Sequence, residues 1–88
     1  MKPAEKDPVN AAIAEVLRVR RAELELTLND VAEASGIKFQ AVQRYLQGDR
    51  PMLLSNFLAL ARALGLDPAE VMAQAVTGIE KSQRTSTR

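Results

Sequence analysis

An 88-residue chain with 12 Lys and Arg against 11 Asp and Glu is long enough for one compact domain, and its net charge of +1 is too small to point to a partner. It has no cysteine and no histidine, which excludes disulfides and thiolate metal sites and removes the commonest general base and metal ligand. The only aromatics are Phe39, Tyr45 and Phe57, so a core must be built from Leu, Val, Ile and Ala, as suits packed helices.

Residues 1–7 read as a flexible polar lead-in. Asp7 is placed to cap a helix with Pro8 at its first position, and Ile13, Val16, Leu17 and Leu24 recur at helical spacing, which predicts a first helix over 8–24. Thr27 and Asp30 have the spacing of a capping box, predicting a second helix over 28–34, ended by Ser35 and Gly36. A third helix follows over 38–47, closed by Gly48. After the loop set by Pro51, the run LLSNFLALARALG predicts a fourth helix over 54–64, with Leu54, Phe57, Leu58, Ala61 and Leu64 as its buried stripe. Asp67-Pro68 repeats the helix-start signal, so a fifth helix runs from Pro68 towards Glu80. The chain divides into a flexible 1–7, a folded domain over 8–81 and a polar, disordered tail over 82–88.

The second and third helices are joined by a tight corner. Val31 and Ala32, then Gly36 and Ile37, then Val42 and Tyr45 have the separations of a helix-turn-helix. Ala32 is small where the second helix crosses close, and Gly36 permits a corner that a Cβ would disfavour. Val31, Ile37, Val42 and Tyr45 face inward and lock the pair.

On these residues the chain resembles the lambda-repressor-like, Cro-type helix-turn-helix family, also called the xenobiotic-response-element family. The matching stretches are LTLNDVAEASGIKFQAVQRYLQGDR and LLSNFLALARALGLDPAEVM, and the resemblance spans about Ile13 to Met72. It implies an all-α, compact five-helix domain whose third helix enters the DNA major groove. Three positions depart from the family pattern. Leu28 stands where a phosphate-binding glutamine is usual, Glu25 where a glycine ends the first helix, and Lys38 where Ser or Thr caps the third.

A helical wheel at roughly 100° per residue sorts the third helix. Val42, Tyr45 and Leu46 fall on one side, with Phe39 at the edge, while Gln40, Gln43, Arg44 and Gln47 form a continuous polar stripe on the other. Glutamine pairs with adenine N6 and N7, and arginine with guanine O6 and N7. Taken alone, such a stripe is more often a solvated surface. The resemblance favours a reading face of Phe39, Gln40, Gln43 and Arg44. Phe39 is open to two assignments, the rim of the core or a contact to a thymine methyl.

From Lys38 to Arg62 the cations Lys38, Arg44, Arg50 and Arg62 face a single acid, Asp49, a mild basic surface on a nearly neutral chain. Lys38, Arg50, Gln47 and Arg21 are the phosphate candidates. Arg18 is a further one, and Arg21 has an ion pair with Glu25 as an equal alternative. Lys2 and Lys6 are minor candidates for a basic arm. On the fifth helix, Val71, Met72, Ala75, Val76 and Ile79 form an apolar stripe suited to a homodimer contact, or equally to the chain's own core. A twofold dimer would match a pseudo-palindromic operator.

The expected function is a sequence-specific double-stranded DNA-binding regulator, a repressor of phage immunity or Cro-like type or a small bacterial regulator. An antitoxin or other protein-interaction module of the same fold is the alternative. An enzyme is not expected, because the usual nucleophile–base pairs cannot form, the carboxylates are scattered, and Ser35 suits turn chemistry. No cofactor, metal or small-molecule ligand is suggested. No apolar run approaches the roughly 20 residues of a membrane span, and MKPAEKDPVN lacks a signal-peptide core, so a cytoplasmic protein is expected.

Overall fold

The computed structural model describes residues 7–86, with side chains described through Lys81. The Lys2 and Lys6 arm, the rest of the N-terminal lead-in before Asp7, and the last two residues of the expected tail lie outside the described residues. Five helices follow in order: α1 (Pro8–Leu24), α2 (Leu28–Ser35), α3 (Phe39–Gln47), α4 (Leu54–Ala63) and α5 (Pro68–Ser86). The helix α1 packs on α3 and α5, α2 packs on α3 and α4, and α4 packs on α5. This is the all-α, five-helix architecture that the periodicity predicts.

The helix starts follow their local signals where these exist. The Asp7 carboxylate accepts from the Val9 amide at 2.9 Å. Thr27 and Asp30 form a reciprocal capping box, at 2.9 and 3.0 Å. Asp67 accepts from the Ala69 amide at 3.0 Å. By contrast, α3 and α4 begin at Lys38 and Leu53 with no side-chain cap.

The core is aliphatic. Leu17, Val31, Val42, Leu60 and Leu64 are fully enclosed, with Ile13, Tyr45, Leu46, Phe57, Val71 and Ala75 around them. No polar or charged residue is buried among the described residues. Tyr45 keeps its hydroxyl satisfied by accepting from the Asn56 amide at 2.7 Å.

The expected α4 stripe is corrected at one position. Leu54 has the spacing of the α4 stripe, but it stands in the first turn, which no element covers, and it is 68% exposed. Leu60 takes its place inside. Leu24, at the end of α1, is also exposed, and Ile13, Ala14 and Leu17 are the buried residues of that helix. Beyond Glu80, α5 continues through Ser86, into the stretch whose polar composition suggested a tail. No glycine or proline stands between Gly78 and that end to stop it.

Glu25 provides the corner that a glycine was expected to make. It adopts φ 57° and ψ 37°, and it is the one non-glycine residue with positive φ among the described residues. Its amide donates to the Ala22 carbonyl at 3.0 Å and the Leu26 amide donates to Arg21 at 3.2 Å, the paired bonds of a Schellman ending. The corner is therefore the usual one, held in a conformation that disfavours a Cβ by about 1 kcal/mol.

Candidate nucleic-acid interface

The corner before α3 depends on Gly36. It takes φ 76°, and its amide closes α2 by donating to the Ala32 carbonyl at 2.9 Å. A Cβ there would meet nothing within 4 Å, so the requirement is conformational and not one of space. Ser35 completes the turn. Its hydroxyl donates to the Ala32 carbonyl at 3.3 Å and accepts from the Ile37 amide at 3.2 Å, as turn chemistry predicts. Val31 and Val42 are enclosed and Ile37 is half-buried, so these side chains set the angle between the two helices.

The turn delivers α3 with two unlike sides. Val42, Tyr45 and Leu46 are buried, while Gln40, Arg44 and Gln47 are exposed and Gln43 is half-buried. Phe39, at the first position, is 39% exposed, so the structure places it outside the core. Lys38 precedes it, exposed and without a side-chain hydrogen bond to the helix. Gln40, Ala41, Arg44 and Arg50 line an open notch of about 200 Å³, which brings two guanidinium-bearing side chains to one place beside the polar stripe. Arg50 also lies over the Tyr45 ring, its guanidinium carbon 5.9 Å from the centroid.

The far end of α3 is held by α1. Arg18 donates to the Leu46 carbonyl at 2.7 Å. Gly48 ends α3 with φ 77° and lies against α1, where an added Cβ would stand 3.6 Å from the Ala14 Cβ and 3.9 Å from the Ala11 Cα. Asn10 then grips the following loop at two points, donating to the Arg50 carbonyl at 3.1 Å and accepting from the Met52 amide at 3.1 Å. Asn10, Ala14 and Arg18 lie on successive turns of α1, on one face. They meet the loop, Gly48 and Leu46 in reverse chain order, so α1 forms a rail along the end of the reading helix.

This arrangement changes the reading of the α1 arginines. Arg21 donates to the Leu26 carbonyl at 2.6 Å, and its Nε is buried and has no hydrogen-bond partner. It is part of the α1–α2 corner, and it is engaged with the Leu26 carbonyl and not with Glu25. Arg18 caps α3, and Arg20 donates to the Leu64 carbonyl at the end of α4 at 3.2 Å while meeting Glu23 at 3.4 Å. Arg18 and Arg20 thus satisfy carbonyls at the C-terminal ends of α3 and α4, where the helix dipole favours a cation, and Arg21 does so in the α1–α2 corner. Leu28 is half-buried against the core and offers no hydrogen bond in place of the family's glutamine.

Sequence reasoning missed Asn10 as well as these caps. The partners of Asn10 lie 40 and 42 residues along the chain, and no local pattern marks them. The expected dimer stripe also separates. Val71 and Ala75 are 1% and 2% exposed within the chain's own core and present no surface to a partner, because α5 folds back on α1 and α4. Met72 and Ile79 are half-buried, and Val76 is 43% exposed.

A helix-turn-helix with an exposed polar reading side defines a DNA-binding regulator fold. The family model described as a helix-turn-helix domain matches residues 12–74, and the chain belongs to that family. It is similar to the crystal structure of the clp gene regulator ClgR from Corynebacterium glutamicum, with a TM-score of 0.71 and 26% identity over 80% of this chain and 91% of that one. It is similar also to the restriction-modification controller protein C.AhdI from Aeromonas hydrophila, with a TM-score of 0.65 and 31% identity over 69% of this chain and 92% of that one. A second ClgR structure has a TM-score of 0.76 at 23% identity over 92% of this chain and 88% of that one, a likeness of fold alone. No curated protein matches the chain.

The chain therefore has the fold of the lambda-repressor-like DNA-binding transcriptional regulators, which implies double-stranded DNA as its partner, and its family and neighbours are regulators and not enzymes. Among the described residues no helix is long and apolar enough to cross a membrane.

Proposed function

We propose that the protein is a sequence-specific repressor that binds a pseudo-palindromic operator as a homodimer, with α3 in the major groove. The observation that carries this reading is the exposed stripe of Gln40, Arg44 and Gln47, with Gln43 beside it, on a helix pinned at both ends. Phe39, Gln40, Gln43 and Arg44 read base edges, and Lys38, Arg50 and Gln47 meet phosphates on either side. Arg21, engaged with the Leu26 carbonyl, takes no phosphate role in this reading. The two named neighbours are a gene regulator and a controller protein, which supports a regulatory role in a bacterial setting. Repression follows from occupancy alone, since a domain of this size bound across a promoter needs no further activity. On DNA, the twofold contact uses Met72, Val76 and Ile79, the part of the α5 stripe that is not enclosed, and places half-sites about one helical turn apart.

The test is selection from a randomised duplex pool, followed by anisotropy titration of the selected site against random DNA at several salt concentrations. Gln43→Ala or Arg44→Ala is expected to relax preference at one or two base pairs per half-site, by about 1–3 kcal/mol each. Unchanged preference in both variants would remove the reading assignment. Failure of any duplex to exceed random DNA at low salt would move the function to a protein-interaction module of the same fold.

A further inference from the structure

We propose that Asn10, on α1, is a positioning residue for DNA binding that acts by holding Arg50 in place. This rests on the DNA-binding reading of α3 and names a residue outside the helix-turn-helix on which that reading depends.

The loop after α3 leaves Gly48 and reaches α4 at Leu54 with no regular structure of its own apart from the turn at the helix end. Beyond the Asp49 amide, which donates to the Arg44 carbonyl at 3.1 Å, its backbone is held by one side chain. The two ends of the Asn10 amide engage two different residues of the loop, the Nδ2 donating to the Arg50 carbonyl and the Oδ1 accepting from the Met52 amide, both at 3.1 Å. A single side chain that satisfies a donor and an acceptor on either side of Pro51 fixes both the position and the direction of that segment. The Arg50 side chain is met from the other direction by the Tyr45 ring, which is itself oriented by Asn56. Arg50 is therefore held at its backbone, with its exposed guanidinium over the Tyr45 ring and beside Arg44 in the notch along α3.

A cation held where a phosphate will arrive loses less conformational freedom on binding than one on an unrestrained loop. Asn10 touches no DNA in this arrangement. Its contribution passes through Arg50, and that makes it separable from a general effect on folding.

The experiment is a double-mutant cycle on the full chain, using the selected duplex and titrating at several salt concentrations. Arg50→Ala is expected to weaken binding on the order of 5- to 10-fold and to lower the salt slope by about 1 per half-site. Asn10→Ala is expected to weaken binding on the order of 5-fold and to speed hydrogen exchange at the Met52 amide. The double variant Asn10→Ala with Arg50→Ala should bind within about twofold of Arg50→Ala alone, because the two residues serve one contact. A purely structural Asn10 would give additive losses. Additivity would overturn the inference, as would full affinity in Asn10→Ala or an Arg50→Ala variant that binds as the wild type does. Absence of any preferred duplex for the wild type would overturn the proposed function and this inference with it. If Asn10→Ala melts below the assay temperature, Asn10→Asp replaces it. That variant keeps the bond from Met52 and turns a repelling oxygen to the Arg50 carbonyl, and the same cycle removes the general effect of its charge on DNA.

Discussion

Arg18 and Leu46 are joined by a 2.7 Å bond from a guanidinium to a main-chain carbonyl, and this bond ties the last turn of α3 to α1. With Arg20 on the Leu64 carbonyl and Arg21 on that of Leu26, it makes the RVRR segment a set of structural caps. The three arginines account for a quarter of the 12 cations of the chain, and each is engaged with a main-chain carbonyl.

Arg18→Ala should therefore act on stability. Loss of a charge-assisted bond at a partly exposed site is expected to cost about 1 kcal/mol and lower Tm by about 4–8 °C. The salt slope of DNA binding should stay unchanged, whereas a phosphate contact would take about 1 from it. Thermal unfolding and a salt titration on the same variant decide between the two roles.

Glu25→Gly should stabilise the protein. The wild-type residue sits at φ 57° without the freedom of glycine, and its side chain is exposed. Removing the Cβ relieves about 1 kcal/mol of strain, and the gain is partly offset by the greater freedom of glycine in the unfolded chain. A net rise of roughly a few tenths of a kcal/mol in denaturant unfolding is expected. A fall would show that the Glu25 side chain has a role its exposure does not reveal.

Gly36 and Gly48 make a matched pair, with φ values of 76° and 77°. One has open space around its missing Cβ and the other faces Ala14 at an ordinary contact distance. If backbone conformation sets the requirement at both, Gly36→Ala and Gly48→Ala should each cost roughly 1–2 kcal/mol. A much larger loss at Gly48 alone would show that the α1 rail leaves no room for a methyl group.

These cases show which parts of the structure were legible in the sequence. Local signals were read well. The Thr27–Asp30 box, the Gly36 corner and the alternation of Val42 and Tyr45 with Gln40 and Arg44 all act within a few residues, and each appears where its spacing placed it. Features that depend on distant partners were not read. Asn10 finds its partners 40 and 42 residues along the chain, and nothing in its neighbourhood marks them. The arginine caps were missed because their acceptors are main-chain carbonyls, which every residue has. Leu54 was misplaced because periodicity gives the face of a helix but not how far the neighbouring helices extend along it.

Phe39 gives a direct test at the start of α3. Exposed at the first helical position, it suits a thymine methyl and cannot form a hydrogen-bonded base contact. Replacing one operator thymine by uracil removes only that methyl and is expected to weaken wild-type binding about fourfold at the contacted position. Phe39→Ala should be insensitive to the same replacement and should melt close to the wild type. Equal sensitivity in both proteins would assign Phe39 to another role.

The α5 stripe separates into two groups that should respond differently. Val71 is enclosed against the core, so Val71→Ala is expected to lower unfolding stability by about 2 kcal/mol, with any effect on association following from that loss. Val76 is 43% exposed on the same helix, and Val76→Glu should change stability by less than about 0.5 kcal/mol. If Met72, Val76 and Ile79 form the twofold contact, the same variant should sediment as a monomer at concentrations where the wild type associates. It should also lose the cooperative gain on a two-half-site duplex while keeping its affinity for a single half-site. A wild type that is monomeric at high concentration and binds two half-sites independently would remove α5 from the assembly. It would leave Val76 as an isolated apolar side chain of the kind common on any soluble surface.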